Sequence, residues 1–150
     1  MSDKRQLIPI TGLFVTIAIA VYTVVQMSGQ GTQAPTGNFT NAAVAEVRDA
    51  QGQVVLQGQF VVSDEDDDDI ERKATLKSTV GADAGGEAEV EFAKSAPATQ
   101  EIEFSVRGLQ AGATFTFVID GQEVATATAD QHGRAEVELD VNIPSTSATR

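Results

Sequence analysis

From residue 43 onward, apolar and polar positions alternate with a period of two. In "QVVLQGQFVV" the residues Val54, Leu56, Phe60 and Val62 share one face, with Gly58 among them. In "EAEVEF" the apolar set is Ala88, Val90 and Phe92, and the intervening positions are Glu87, Glu89 and Glu91. In "EIEFSVR" Ile102, Phe104 and Val106 alternate with Glu101, Glu103, Ser105 and Arg107. Phe115, Phe117 and Ile119 repeat the pattern, and so do Ala135, Val137, Leu139 and Val141. A period of two places one face of a strand in a core and the other in water.

Turn formers separate these runs: "DAQG" at 49–52, "GADAGG" at 81–86, "GLQAG" at 108–112, "DG" at 120–121 and "DQHG" at 130–133. Asp-Gly is a strong hairpin cue, because a type I′ turn needs positive φ at both central residues. Together the runs and turns predict about eight strands, near 43–48, 53–62, 70–80, 87–92, 101–107, 113–120, 122–129 and 134–141. The predicted fold is all-β, an antiparallel β-sandwich, although short strands at this spacing also suit a small barrel. If strands 87–92 and 101–107 paired directly, glutamates could stand opposite glutamates, which is destabilising. The seven-residue connection "AKSAPAT" is therefore expected to cross between two sheets.

The segments "ADAGGEAEVEF" (82–92) and "ADQHGRAEVEL" (129–139) match in register at Ala, Asp, Gly, Ala, Glu, Val and Glu. Two readings follow: a duplicated ligand site, or a duplicated hairpin using one turn chemistry. The second needs less, since Asp and Gly have local reasons to be in turns. The stretch from Gly108 to Leu139 also resembles a pattern found in bacterial secreted and surface β-domains. That pattern reads Gly-Leu-x-x-Gly, strand, Asp-Gly, strand, Thr-x-Asp-x-x-Gly-x-Ala. Here its second half falls on Thr128, Asp130, Gly133 and Ala135. The resemblance implies an extracytoplasmic β-domain in a bacterium. It implies no activity and no catalytic residue.

A different pattern precedes the strands. Leu7 to Val25 runs without a charge. As a helix it would span roughly 28 Å, close to the ~30 Å hydrocarbon core of a bilayer. Lys4 and Arg5 precede it, and no basic residue follows until Arg48. The positive-inside rule then places residues 1–6 in the cytoplasm, a transmembrane helix over 7–26, and the rest outside. The alternative is a cleaved signal peptide with Leu13–Val25 as its apolar core, but "TQA" at 32–34 is followed by Pro35, a poor residue after a cut. Residues 27–41 have linker composition. The β-domain is expected over 42–143 and a short tail over 144–150. Asn38-Phe39-Thr40 matches a glycosylation sequon within the linker.

Composition narrows the chemistry. Cysteine and tryptophan are absent and there is one histidine, which excludes disulfides, thiolate metal sites and cysteine nucleophiles. A formal net charge of -12 excludes nucleic acid as a partner, since a binder must bring positive charge to displace counterions. His132 lies in a turn and is expected to face solvent. The densest charge is "SDEDDDDIER" at 63–72, with carboxylates at every position from Asp64 to Asp69. Calcium takes six to eight oxygens, and Asp64, Asp66 and Asp68 are the candidate ligands. The EF-hand template fails, because Asp69 and Thr75 stand where it needs Gly and Glu. The plainer reading is a solvated loop between two strands.

No catalytic constellation emerges. Strand glutamates alternating with apolar residues are ordinary solvent-face residues, although paired carboxylates do hydrolyse glycosides elsewhere. The expected function is that of a non-catalytic accessory subunit of a larger membrane complex. Its partners would be lipid and other subunits, met through the helix Leu7–Val25 and the β-domain. It would sit in the bacterial cytoplasmic membrane with its C-terminal domain in the periplasm. The alternative is a calcium-dependent surface binding or adhesion module.

Overall fold

The computed structural model describes residues 36–65, 68–81, 83–95 and 99–144. Its strands are β1 (Val44–Arg48), β2 (Val54–Gln59), β3 (Val61–Glu65), β4 (Asp69–Ser78), β5 (Gly85–Ala93), β6 (Thr99–Arg107), β7 (Thr114–Ile119), β8 (Gln122–Thr128) and β9 (Ala135–Asn142). All pairings between them are antiparallel. They form one sheet in the order β8-β7-β1-β2-β4-β5-β6-β9, with β3 on β4. The sheet curls nearly into a barrel around a single core, with β8 and β9 as its two ends. The all-β fold agrees with the sequence pattern, but one continuous sheet stands where two sheets of a sandwich were expected.

The expected crossover between sheets after β5 is wrong. β5 and β6 form a direct hairpin that sets Glu89 opposite Glu103 and Glu91 opposite Glu101. The inner faces decide this register. They oppose Ala88 to Phe104 and Val90 to Ile102, and all four are buried. Fully burying a large apolar side chain is worth about 1.5–3 kcal/mol. A cross-strand charge pair amounts to roughly 0.2–1 kcal/mol, so core burial outweighs repulsion.

The expected strand 53–62 is two strands. β2 pairs with β4 at Leu56–Ser78 and Gln57–Lys77, and β3 continues that register at Val61–Lys73 and Val62–Arg72. The close approach of β2 to β4 depends on Gly58, where an added Cβ would lie 2.5 Å from the Thr75 carbonyl oxygen. Phe60 marks the break. Its N–H donates to the Ala43 carbonyl at 2.9 Å, the last bond to the β1 side. Beyond it β3 pairs with β4 alone.

The core joins the two halves of the sheet. Phe104 of β6 and Phe117 of β7 are fully buried and meet edge to face, with ring centroids 5.1 Å apart and planes at 64°. Aromatic pairs favour this geometry, which sets a ring edge against a π face. Asp120 and Gly121 both have positive φ, at 49° and 81°, as the expected type I′ turn requires. The Asp120 carboxylate also accepts the Val44 N–H at 2.8 Å, fastening the turn to β1.

Residues 36–41, expected as part of the linker, pack against the barrel. Thr36 bridges Asn142 of β9 in parallel, and its carbonyl accepts from the Gln122 side chain of β8 at 3.0 Å. Gln100, the buried polar side chain of the core, holds the next residues with both ends of its amide. Its Oε1 accepts the Phe39 N–H at 2.9 Å, and its Nε2 donates to the Gly37 carbonyl at 2.7 Å. Residues 36–42 therefore form a strap under one end of the barrel, where β8 and β9 do not pair. That end also carries the connection from β3 to β4 and the exit of the chain after Asn142. Residues 7–26, expected as a transmembrane helix, and residues 145–150 of the tail lie outside the described residues. Among the described residues no helix is long and apolar enough to cross a membrane.

Candidate functional site

The outer face of β4, β5, β6 and β9 is mainly acidic, with Lys77 and Arg107 in the row at its far end. Residues facing away from the core pair across these strands in rows. The first row is Glu71, Glu91, Glu101, Asp140, and the second is Lys73, Glu89, Glu103, Glu138. The third is Thr75, Glu87, Ser105, Glu136. β3 adds Asp64 beside Glu71. Lys73 is the single cation of these rows. Its Nζ lies 3.2 Å from Glu71 Oε1 and 3.1 Å from Glu89 Oε2.

The electrostatics divide along this wall. Partial burial, and then the charges of Glu101 and Asp69, push the Glu91 carboxyl above its ordinary value. Burial, followed by Glu138 and Asp140, does the same to Glu101. Burial, followed by Glu89 and Glu138, does it to Glu103. Glu71 moves the other way, because the Ser63 hydroxyl donates to it and Lys73 lies beside it. Hydrogen bonds that it donates to the carboxylates of Glu89 and Glu71 hold the Lys73 ammonium well above the ordinary lysine range. The carboxylates near Lys73 are thus partly satisfied, whereas those on β6 face one another.

Glu71, Glu89 and Glu91 each direct a carboxylate oxygen to within 4.8 Å of the others. Such a set is the beginning of an oxygen shell for a hard cation. Lys73 already stands between two of them, so a metal there must displace an ammonium. Asp64, Asp69, Glu71 and Glu91 line a shallow depression of about 110 Å³ at the edge of the same face.

The three calcium candidates are placed as follows. Asp64 lies on β3, opposite Glu71. Asp68 precedes β4, and its carbonyl accepts the Lys94 N–H at 2.8 Å, tying the β3–β4 and β5–β6 connections together. Asp66 lies outside the described residues. The β3–β4 register slips between Val62 and Asp64, marking a bulge where the acidic run begins. Bulges and charges are devices that keep an open strand edge from pairing with another chain. Both occur here on the strand with one partner, beside the exposed Val61 and Val62.

The repeated Asp-x-x-Gly segments are not equivalent in space. Asp130 Oδ1 accepts the N–H groups of His132 and Arg134 at 2.7 and 2.9 Å, and Gly133 has φ of 73°. The Arg134 N–H above all holds the Asp130 carboxyl below its usual range. Gly86, the counterpart of Gly133, lies within β5 between Leu76 and Val106. A Cβ there would collide with the Ser105 carbonyl. One glycine serves a turn and the other a close strand approach, so the shared sequence does not duplicate a site. His132 is exposed, as its turn position suggested.

Concentrating on the run at 64–69 missed the larger acidic surface. Its signal was present in the alternating glutamates of "EAEVEF", "EIEF" and "AEVEL". What no single strand shows is that these three become neighbours in register. No family model, curated protein or solved structure matches this chain.

Proposed function

We propose that this chain is a non-catalytic accessory subunit of a larger membrane complex, of photosynthetic, respiratory or secretion type. Residues 7–26 would anchor it in the bacterial cytoplasmic membrane, with the barrel on the outer side. The uncharged run Leu7–Val25 behind Lys4 and Arg5 carries this reading. Two features of the barrel support it. The inside is filled by side chains such as Phe104, Phe117, Ile102 and Leu56, while the glutamates of β5 and β6 line the outer wall. Thr36 is already docked on β8 and β9, so residues 27–35 can separate bilayer and barrel by at most ~30 Å. A domain held that close is placed to meet neighbouring subunits at the membrane surface. The resemblance of Gly108–Leu139 to secreted β-domains points to the same side.

Extraction in a mild detergent tests the proposal. The full-length protein is expected to stay with the membrane after alkaline carbonate washing and to elute with other subunits after extraction. Release by carbonate, or elution as a lone chain, contradicts it.

Calcium-dependent surface binding is the second reading. The convergence of Glu71, Glu89 and Glu91 favours it, with Asp64, Asp66 and Asp68 as the ligands first suggested by sequence. Titration calorimetry with Ca²⁺ separates the two. Saturable heat, removed by Glu71→Gln or by Asp64→Asn, would favour the binding module.

A further inference from the structure

We infer that Asn38 is an N-glycosylation site, taking an oligosaccharide on its side-chain amide nitrogen. The inference rests on the outward placement of the barrel proposed above. Asn38-Phe39-Thr40 supplies the acceptor pattern, an asparagine followed two residues later by a hydroxyl. The pattern alone is weak, and the strap gives it a geometry. Gly37 and Phe39 are buried on either side, while Asn38 between them is exposed. The backbone is thus fixed on both sides of Asn38, with the Asn38 side chain directed away from the barrel. Asn38 Oδ1 accepts from the Thr40 N–H at 3.1 Å and from the Thr40 hydroxyl at 2.7 Å. Both bonds use the amide oxygen, and Nδ2 has no hydrogen-bond partner among the described residues.

An amide nitrogen is a poor nucleophile, its lone pair being delocalised into the carbonyl, and the two bonds matter because donation to Oδ1 draws electron density from the amide and makes an Nδ2 proton easier to remove. In transfer, Nδ2 forms a bond to the anomeric carbon of a polyisoprenyl-phosphate-linked oligosaccharide. The bond from that carbon to the lipid phosphate breaks, the phosphate leaves with the electron pair, and the proton that the amide gives up passes through a base of the transferring enzyme to solvent or to the released phosphate. The product keeps the Oδ1 contacts, so a glycan on Nδ2 is compatible with the docked strap. Gln100 still holds Gly37 and Phe39 beneath it. The sugar would stand at the tethered end of the barrel, between the acidic β3–β4 connection and the bilayer. Neutral, hydrated bulk there would keep that end off an anionic lipid surface.

Full-length protein purified from the membranes of its native host tests the inference by intact mass and peptide mapping. Sidedness is measured in parallel with added protease on intact cells. The expected result is a carbohydrate mass on the peptide containing Asn38. Asn38→Gln and Thr40→Val should abolish it, and Thr40→Ser, which keeps a hydroxyl, should retain it. Asn41→Gln should leave the mass unchanged, since Asn41 is exposed but followed two residues later by Ala43. An unmodified Asn38 in a protease-accessible domain overturns the site and leaves the membrane reading standing. An unmodified Asn38 in a domain shielded from protease overturns both. Retention of the mass in Thr40→Val shows that another residue carries it and overturns the assignment.

Discussion

The two walls of the barrel enclose the same core with opposite surface chemistry. On β4, β5, β6 and β9, carboxylate faces carboxylate across the strands, and Lys73 is the one cation within the three acidic rows. On β1, β7 and β8 the outward pairs are mild. Thr114 and Thr128 hydroxyls share a hydrogen bond of 3.0 Å, Thr116 stands opposite Thr126, and Arg48 closes on Glu46 at 2.5 Å. Both walls fold because their inward positions are alike: Phe104 and Ile102 on one, Phe117 and Ile119 on the other, all fully buried. Inward apolar pairing sets the register, and the outer chemistry is free to vary within what repulsion permits.

The largest expected effect comes from the shared core. Phe104→Ala should destabilise the barrel by about 3–5 kcal/mol, and Phe117→Ala similarly, because each removes half of one aromatic contact and leaves a cavity. Urea unfolding of each variant checks this. If only one substitution is costly, the walls are not joined as described. Gln100→Leu comes next. It leaves the Phe39 N–H and the Gly37 carbonyl without partners, for a loss of about 1–3 kcal/mol. Amide exchange should rise in residues 36–42 before the strands are affected.

Smaller effects separate the walls themselves. Lys73→Gln should weaken the acidic wall by about 0.5–1 kcal/mol at low salt, less at high salt, because the pairs are largely exposed. Thr116→Gln on the other wall should change stability with little salt dependence. The pH response has a worked sign. Glu91, Glu101 and Glu103 titrate above the ordinary glutamate value of 4.5 in the folded state. Between that value and their folded values the native barrel binds more protons than the unfolded chain, so its stability rises as pH falls from neutral. Glu71 and Asp130 titrate below 4.5 and 3.8, respectively. Their contributions are present above those values and are lost as pH falls through the lower folded ones. The melting temperature should therefore pass through a maximum in mild acid. A melting temperature that falls steadily from neutral pH would contradict the assignment of repulsion to the β5–β6–β9 wall.

Much of the inner wall was legible along the chain. The period-two runs place Ala88, Val90, Phe92, Ile102, Phe104 and Val106 on the buried face where they lie. The turn at Asp120–Gly121 was legible too, because its φ requirement is local. Pairing order was not. The opposed glutamates argued against a β5–β6 hairpin, and that argument gave a sub-kilocalorie repulsion more weight than burial of the core. Phe60 looked like one more inward residue of a long strand. The chain before Ala43 turns away to form the strap, so the strand loses a neighbour there and Val62 is left exposed. The strap itself was hidden because "TGNFTNA" reads as linker by composition. Its partners Gln100, Gln122 and Asn142, all distant in sequence, are what make the segment pack. The acidic surface was similarly divided among strands that sequence could not order.

The most direct test combines Glu91, Glu101 and Glu103, each changed to Gln in one variant, with unfolding of residues 36–150 in low and high salt. The substitutions keep side-chain size and leave the inner face untouched. If core burial sets the register against repulsion, the variant should be more stable than the parent at low salt, and the gap should close near 1 M salt, where the Debye length is only about 3 Å. A variant less stable than the parent, or a gap indifferent to salt, would mean that these carboxylates hold the wall together and would contradict the account.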